Sequence, residues 1–330
     1  MIRPRPSTPH TSADPASPGQ DWTRQKERST PFALWLIGAV ALTLGRHVAR
    51  IFIAFAVAWY LVRAWSVRRH VYDFLRRVLP RPPRIRDLVR TYWCFAAVTL
   101  DRVFFVAGRD SKFDVRIHNP ELLDDLQAQG RGAILLGAHL GSFIALRALA
   151  KRRKSMAIRI LQYRDQNPAI SRTIARLNPD LAEDIIPLGE PDVLLRLERC
   201  IRHGQFAALL ADRMGPKDTR GVTCDFLGDP VAFPSGGVEA ALVLDCPLVL
   251  FFGLYRGGNR YELYFERLAT CPYADRGERR KLVEDIVERY AGRLAHYARQ
   301  APYNWFNFHD YWHQNEEPLK KESGSANQQP

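Results

Sequence analysis

Two apolar runs stand near the start of the chain, FALWLIGAVALTL at 32–44 and IFIAFAVAWYLV at 51–62, separated by GRHVAR. Each is shorter than the roughly 20 residues a helix needs to cross a hydrocarbon core. Joined, they would cross, but with Arg46 and Arg50 near mid-membrane at a cost of about 2.5–3.5 kcal/mol each on insertion scales. The pattern therefore predicts a helix, or a broken pair, over 31–67 that embeds in one leaflet. Its arginines would snorkel to the headgroups, and Trp35, Trp59, Tyr60 and Trp65 would sit at the interface. The alternative is a hydrophobic helix that packs on the folded domain. Residues 1–30, rich in Pro, Ser, Thr and charge, hold too little apolar surface to fold. They are not a signal peptide, since the apolar stretch begins late and no small-residue cleavage site follows it.

From about Arg90 the pattern alternates. Helical spacing at 87–105, 119–129, 142–152, 168–177, 191–203, 235–245 and 277–300 is interleaved with short apolar runs. These are AILLGA from Ala133, MAIRIL from Met156, DIIPL from Asp184, FAALLA from Phe206, PLVLFFG from Pro247 and YELYFE from Tyr261. Strands that alternate with helices of this length predict βαβ units, hence an α/β fold with a mostly parallel central sheet flanked by helices over 68–313. The last two runs, joined by LYRGGNR, can form a hairpin and give the sheet a mixed edge. The polar tail, 314–330, is expected to be disordered, and no internal repeat is visible.

Charge narrows the class of partner. The chain carries a formal net charge of +13, which suits nucleic acid, an anionic membrane face or an acidic protein. Seven arginines, Arg68, Arg69, Arg76, Arg77, Arg81, Arg84 and Arg86, directly follow the apolar segment. That order is the order of a membrane anchor with a basic patch on lipid headgroups. No zinc-finger spacing, ribonucleoprotein motif or basic-region heptads support nucleic acid. The five cysteines are odd in number and widely spaced without C-x-x-C, which indicates neither a disulfide framework nor a zinc site.

In a sheet of this type ligands bind beyond the carboxyl ends of the strands. Three segments fall there: His139 with Gly141 and Ser142, Asp212-Arg213, and DFLGDPVAFPSGG from Asp225 to Gly237. A histidine at a strand end suits a general base, because its unperturbed pKa near 6.5 leaves it largely proton-accepting at pH 7. The amides of Ser142 and Phe143, read as a helix start, could steady an oxyanion. The plainer reading is a histidine that caps the helix. Ser142 lacks the G-x-S-x-G setting of a nucleophile and reads as a cap. His309 and His313 stand at i and i+4, a metal-binding spacing, but without a third ligand. Arg213 could hold a phosphate or polarise a carbonyl, and Phe233-Pro234-Ser235-Gly236 suits a tight approach of backbone to ligand.

Taken in order, GAILLGAHLGSF, LLADR, FLGDPVAFPSGG and APYNWFNFHDYW resemble the lysophospholipid acyltransferase superfamily, in particular its bacterial lipid A biosynthesis branch. The resemblance covers about Phe32 to His313. It implies a glycerolipid acyltransferase-like fold at the cytoplasmic face of a bacterial inner membrane. It also implies transfer of a fatty acyl group from an acyl carrier protein or coenzyme A thioester to a hydroxyl or amine of a membrane lipid, with no metal and no further cofactor. His139 matches the family's base. The acidic residue expected five positions on is Ile144, which cannot orient an imidazole. Gly141, Ser142 and Arg147 beside the histidine, and Asp212, Arg213, Phe233, Pro234 and Gly236 at positions that match the family's blocks, are candidates for oxyanion or substrate contacts; the nearby carboxylates Asp225, Glu239 and Asp310 could replace the missing partner, and the sequence does not choose among them. The substitution admits a second reading, a protein that binds lipid or acyl carrier without turnover, and a third, an engineered trap. The acceptor lipid, the chain length and the oligomeric state are not legible.

Overall fold

The computed structural model describes residues 31–146, 156–163, 184–215, 220–271 and 276–312. Four helices come first: α1 (Pro31–Leu44), α2 (Arg46–Arg63), α3 (Trp65–Val78) and α4 (Ile85–Val106). The sheet region follows as β1 (Asp114–His118), α5 (Glu121–Ala128), β2 (Ala133–Gly137), β3 (Ile158–Tyr163), β4 (Ile185–Leu188), α6 (Val193–Arg202) and β5 (Phe206–Leu210). It continues with β6 (Gly221–Phe226), β7 (Asp229–Pro234), α7 (Gly236–Val243), β8 (Leu248–Tyr255), β9 (Arg260–Ala269) and α8 (Arg276–Gln300).

Seven strands form one sheet in the order β1-β9-β8-β2-β5-β3-β4. Every pairing is parallel except the β8–β9 hairpin. The α/β expectation of a mostly parallel sheet holds, including its antiparallel pair. β2 is central, and all five of its residues are buried, as a continuous apolar run covered on both faces requires. Alternate side chains serve two cores. Ile134, Leu136, Leu250 and Phe252 face a layer containing α3, α7 and α8, while Leu135, Val249 and Phe251 face α2, α4 and α5.

Three strands escape the hydrophobic pattern. β1, DVRIH, pairs at the sheet edge with β9 and alternates charge with apolar residues. The hairpin β6–β7 lies in DFLGDPVAFPSGG, a stretch in which no strand was anticipated. Its turn is Leu227-Gly228, both at positive φ (57° and 95°). Two such residues match the twist of a tight hairpin, and burial of the Leu227 side chain offsets its left-handed backbone.

The two early arginines correct the snorkelling expectation. Arg46 is buried and grips Asp101 of α4 through Nε and a terminal nitrogen, both at 2.6 Å. Tyr261 donates to the same carboxylate at 2.8 Å. Arg50 donates to the Tyr255 hydroxyl and to the Gly258 carbonyl, each at 2.7 Å. Both arginines thus turn inward and bind α2 to the β8–β9 hairpin. The opposite side of α2 leaves Ile51, Phe52, Phe55, Trp59 and Val62 exposed, while Tyr60 packs on Tyr92. Among the described residues no single helix is long and apolar enough to cross a membrane, and α2 meets α3 at a bend of 97°. The polar segments expected at 1–30 and 314–330 and the helix expected at 168–177 lie outside the described residues.

Candidate active site

β2 and β5 run side by side and in parallel, Gly137 beside Leu210. Their continuations therefore emerge together at the carboxyl edge of the sheet. β2 delivers His139 and β5 delivers Asp212. The imidazole Nδ1 lies 2.9 Å from Asp212 Oδ1, and the His139 backbone amide donates to Oδ2 at 3.1 Å. The Trp305 indole N–H donates to Oδ2 at 3.0 Å. The carboxylate is completely buried, whereas the His139 side chain keeps 37% of its surface exposed. One face of the imidazole pair is locked in the protein and the other is open.

The chain beyond α8 straps this arrangement down. Tyr311 donates its hydroxyl proton to the Asp212 carbonyl at 2.6 Å. The Phe306 amide donates to the His139 carbonyl at 3.0 Å, and the Phe306 carbonyl accepts from Arg213 at 2.7 Å. Leu140 bridges to Trp305. The Gly141 amide donates to the Asn304 carbonyl of the same strap, and the Ser142 amide donates to the Gly253 carbonyl, which seats the His139 loop on β8. Gly141 adopts φ 75°, and a Cβ there would lie 2.0 Å from the Gly253 carbonyl oxygen, so only glycine fits.

Burial pushes the His139 imidazole below its ordinary range, and the Arg213 guanidinium adds to that; Asp212 opposes both without reversing them. Burial pushes the Asp212 carboxyl up, but His139, Arg213 and the Trp305 hydrogen bond outweigh it and hold the group well below the usual carboxylate range. Neutral imidazole beside ionised carboxylate puts the proton on Nδ1, donated to Oδ1, and leaves Nε2 as a proton acceptor.

Several sequence-derived roles change. Ile144 packs, half-buried, against the core beneath α4, and the carboxylate at the histidine is Asp212. Of the proposed substitutes, Asp225 accepts from the Gly228 amide in the hairpin turn and Glu239 accepts from the Ser235 hydroxyl at 2.6 Å. The Ser142 amide is already engaged by Gly253, so it is not an outward oxyanion donor. The segment begins a single 3₁₀ turn, Phe143–Ala145, without a side-chain cap. The Ser142 hydroxyl is buried, with no partner among the described residues, which excludes the cap role and an accessible nucleophile alike. Phe233 is a core side chain against Phe226 and Tyr290. Pro234 closes β7, and Gly236 opens α7. His309 stands in irregular backbone, not on a helix, where burial and Arg213 push it down to about 3. His313 and Arg147 lie outside the described residues, and among those residues no group of acidic, His and Cys side chains could hold a metal.

Within APYNWFNFHDYW the sequence pointed to His309 and Asp310, but not to Asn304, Trp305 and Tyr311, which support the site. Their density of aromatic and amide side chains after the last helix was the available signal.

The family model for the bacterial lipid A biosynthesis acyltransferases matches residues 19–314. No curated protein matches the chain.

Proposed function

The chain belongs to this acyltransferase family, and on that premise we propose that it moves a fatty acyl group from a carrier-protein or coenzyme A thioester to a hydroxyl or amine of a membrane lipid, with His139 as general base. The observation that carries this reading is the buried Asp212 carboxylate 2.9 Å from His139 Nδ1, fixed by Trp305. It supplies the orientation that Ile144 cannot.

Nε2 of His139 takes the proton of the acceptor hydroxyl or amine as that atom attacks the thioester carbonyl. Asp212 stays ionised and stabilises the imidazolium through Nδ1–H, the role of the carboxylate in a Ser-His-Asp triad. The tetrahedral intermediate collapses with loss of the thiolate, which takes the proton back from Nε2. An ester or amide and a free thiol result. The positive charge of Arg213, strong enough at His139 to lower its pKa, favours the negative charge that develops on the carbonyl oxygen.

The exposed stripe Ile51, Phe52, Phe55, Trp59 and Val62 on α2 supports insertion into the cytoplasmic leaflet of a bacterial inner membrane. The positive net charge suits an acidic carrier protein. The reading with binding but no turnover rested on Ile144, and Asp212 takes away its premise. The test is transfer of a labelled acyl group from acyl carrier protein to inner-membrane lipid by the parent, His139→Ala and Asp212→Asn. Transfer by the parent and loss in both variants is expected; transfer at the parent rate by His139→Ala would remove His139 from the reaction.

A further inference from the structure

α3 has two faces with different duties. Val71, Phe74, Leu75 and Val78 are buried in the core, and Phe74 packs edge-on to Trp305 at 4.8 Å, directly behind the Asp212 hydrogen bond. The outward face carries Arg68, Arg69, Tyr72, Asp73 and Arg76. With Trp65 and with Ile85 and Leu88 of α4, it lines an open cleft of 510 Å³.

The cleft has the chemistry of an anion site with an apolar rim. Neither Arg68 nor Arg69 makes an ion pair among the described residues, while Asp73 is held by Arg76 and Arg77. Arg68 lies 4.3 Å from the Trp65 ring centroid, and its Nε is buried with no hydrogen-bond partner among the described residues. The Tyr92 hydroxyl, on a residue only 2% exposed, also has no hydrogen-bond partner among the described residues and feels the Arg68 charge. Three arginines against one already-neutralised aspartate leave the cleft positive. Trp65, 64% exposed, opens α3 just past the 97° bend, three residues beyond Val62 at the end of the α2 stripe.

We propose that the α3–α4 cleft binds the phosphate-bearing headgroup of an anionic phospholipid, separately from the His139 site. The acyl chains of that lipid run along the α2 stripe. Charge alone would serve an acidic protein equally well. The exposed apolar stripe of α2, which ends at Val62 three residues before Trp65, favours a lipid, because only a lipid presents an anion and long apolar chains in that order. The inference rests on the membrane reading of α2 given above.

The experiment is flotation of the full chain with vesicles of phosphatidylcholine, with and without phosphatidylglycerol. Arg68→Gln/Arg69→Gln keeps part of the stem packing and removes two charges. Arg202→Gln/Arg280→Gln removes two charges from exposed helix surfaces elsewhere, and Phe55→Ser/Trp59→Ser interrupts the stripe. The parent is expected to prefer phosphatidylglycerol vesicles. The cleft variant should lose that preference by on the order of ten- to thirty-fold while keeping its affinity for phosphatidylcholine. The remote variant should keep the preference, and the stripe variant should lose both vesicles. Equal loss in the cleft and remote variants would mean diffuse attraction and overturn the site. An unchanged preference in the cleft variant would also overturn it and leave the arginines to an acidic protein. Parent binding that ignores composition overturns the cleft proposal and leaves the membrane reading intact; no vesicle binding at all overturns both.

Discussion

His139 Nδ1 and Asp212 Oδ1 lie 2.9 Å apart across 73 residues of sequence. Asp212→Asn keeps the shape and removes the charge, so kcat should fall by about 10³–10⁴, as for the carboxylate of a serine-protease triad, with little change in KM. Ile144→Glu should give no gain, because that side chain packs against the core and the imidazole already has its carboxylate. Initial rates of acyl transfer check both, and a large gain in Ile144→Glu would mean that Asp212 does not support His139.

Trp305→Phe should be a milder version of the same injury. The ring stays apolar and nearly fills the space, but Oδ2 of Asp212 loses a donor. A hydrogen bond to a charged group contributes about 1.5–3 kcal/mol, so transfer should slow by roughly ten- to a hundred-fold. A kcat within a factor of two of the parent, in a protein with unchanged melting behaviour, would show that the indole does not fix the carboxylate.

The pH profile carries the sign of the His139 shift. With its pKa below the ordinary 6.5, the imidazole remains neutral and basic until the pH drops below that value, so the acid limb of kcat/KM should fall below 6.5. Arg213→Gln removes one of the downward influences, and the limb should move to higher pH. A limb that stays in place, measured alongside the parent, would mean that Arg213 does not act on the base.

Gly141→Ala is expected to be severe despite adding one methyl group. Its Cβ would lie 2.0 Å from the Gly253 oxygen at φ 75°, and the loop carrying His139 would have to leave β8. Activity should vanish at the assay limit, and the melting temperature should drop. Full activity would mean that the Gly141–Gly253 contact does not hold the loop.

Asp101→Ala strands Arg46 in the interior, where its side chain is 9% exposed. Loss of one partner from a buried ion pair costs about 3–5 kcal/mol. Thermal unfolding in detergent should shift accordingly, with faster proteolysis within α2. An unchanged melt would mean that the pair does not hold α2 to the domain.

The periodicity by itself determined six strands of the main sheet, most of the long helices and the strand ends that carry His139 and Asp212, because a short continuous apolar run such as AILLG suits a strand covered on both faces; β1, β6, β7 and α3 escaped it. It also determined that α2 has surplus apolar surface. Local pattern could not determine which carboxylate meets His139. Parallel pairing of β2 with β5 brings Asp212 there, and that pairing joins residues with no sequence relation. Nor could it determine that Arg46 and Arg50 turn inward, since their partners Asp101, Tyr255 and Gly258 come from α4 and the distant β8–β9 hairpin. The turn at Leu227-Gly228 was hidden for the same reason: a leucine is tolerated at positive φ when a core assembled from the rest of the chain buries its side chain. Tertiary packing decided each of these points, because the compensating contact for each residue lies on another element.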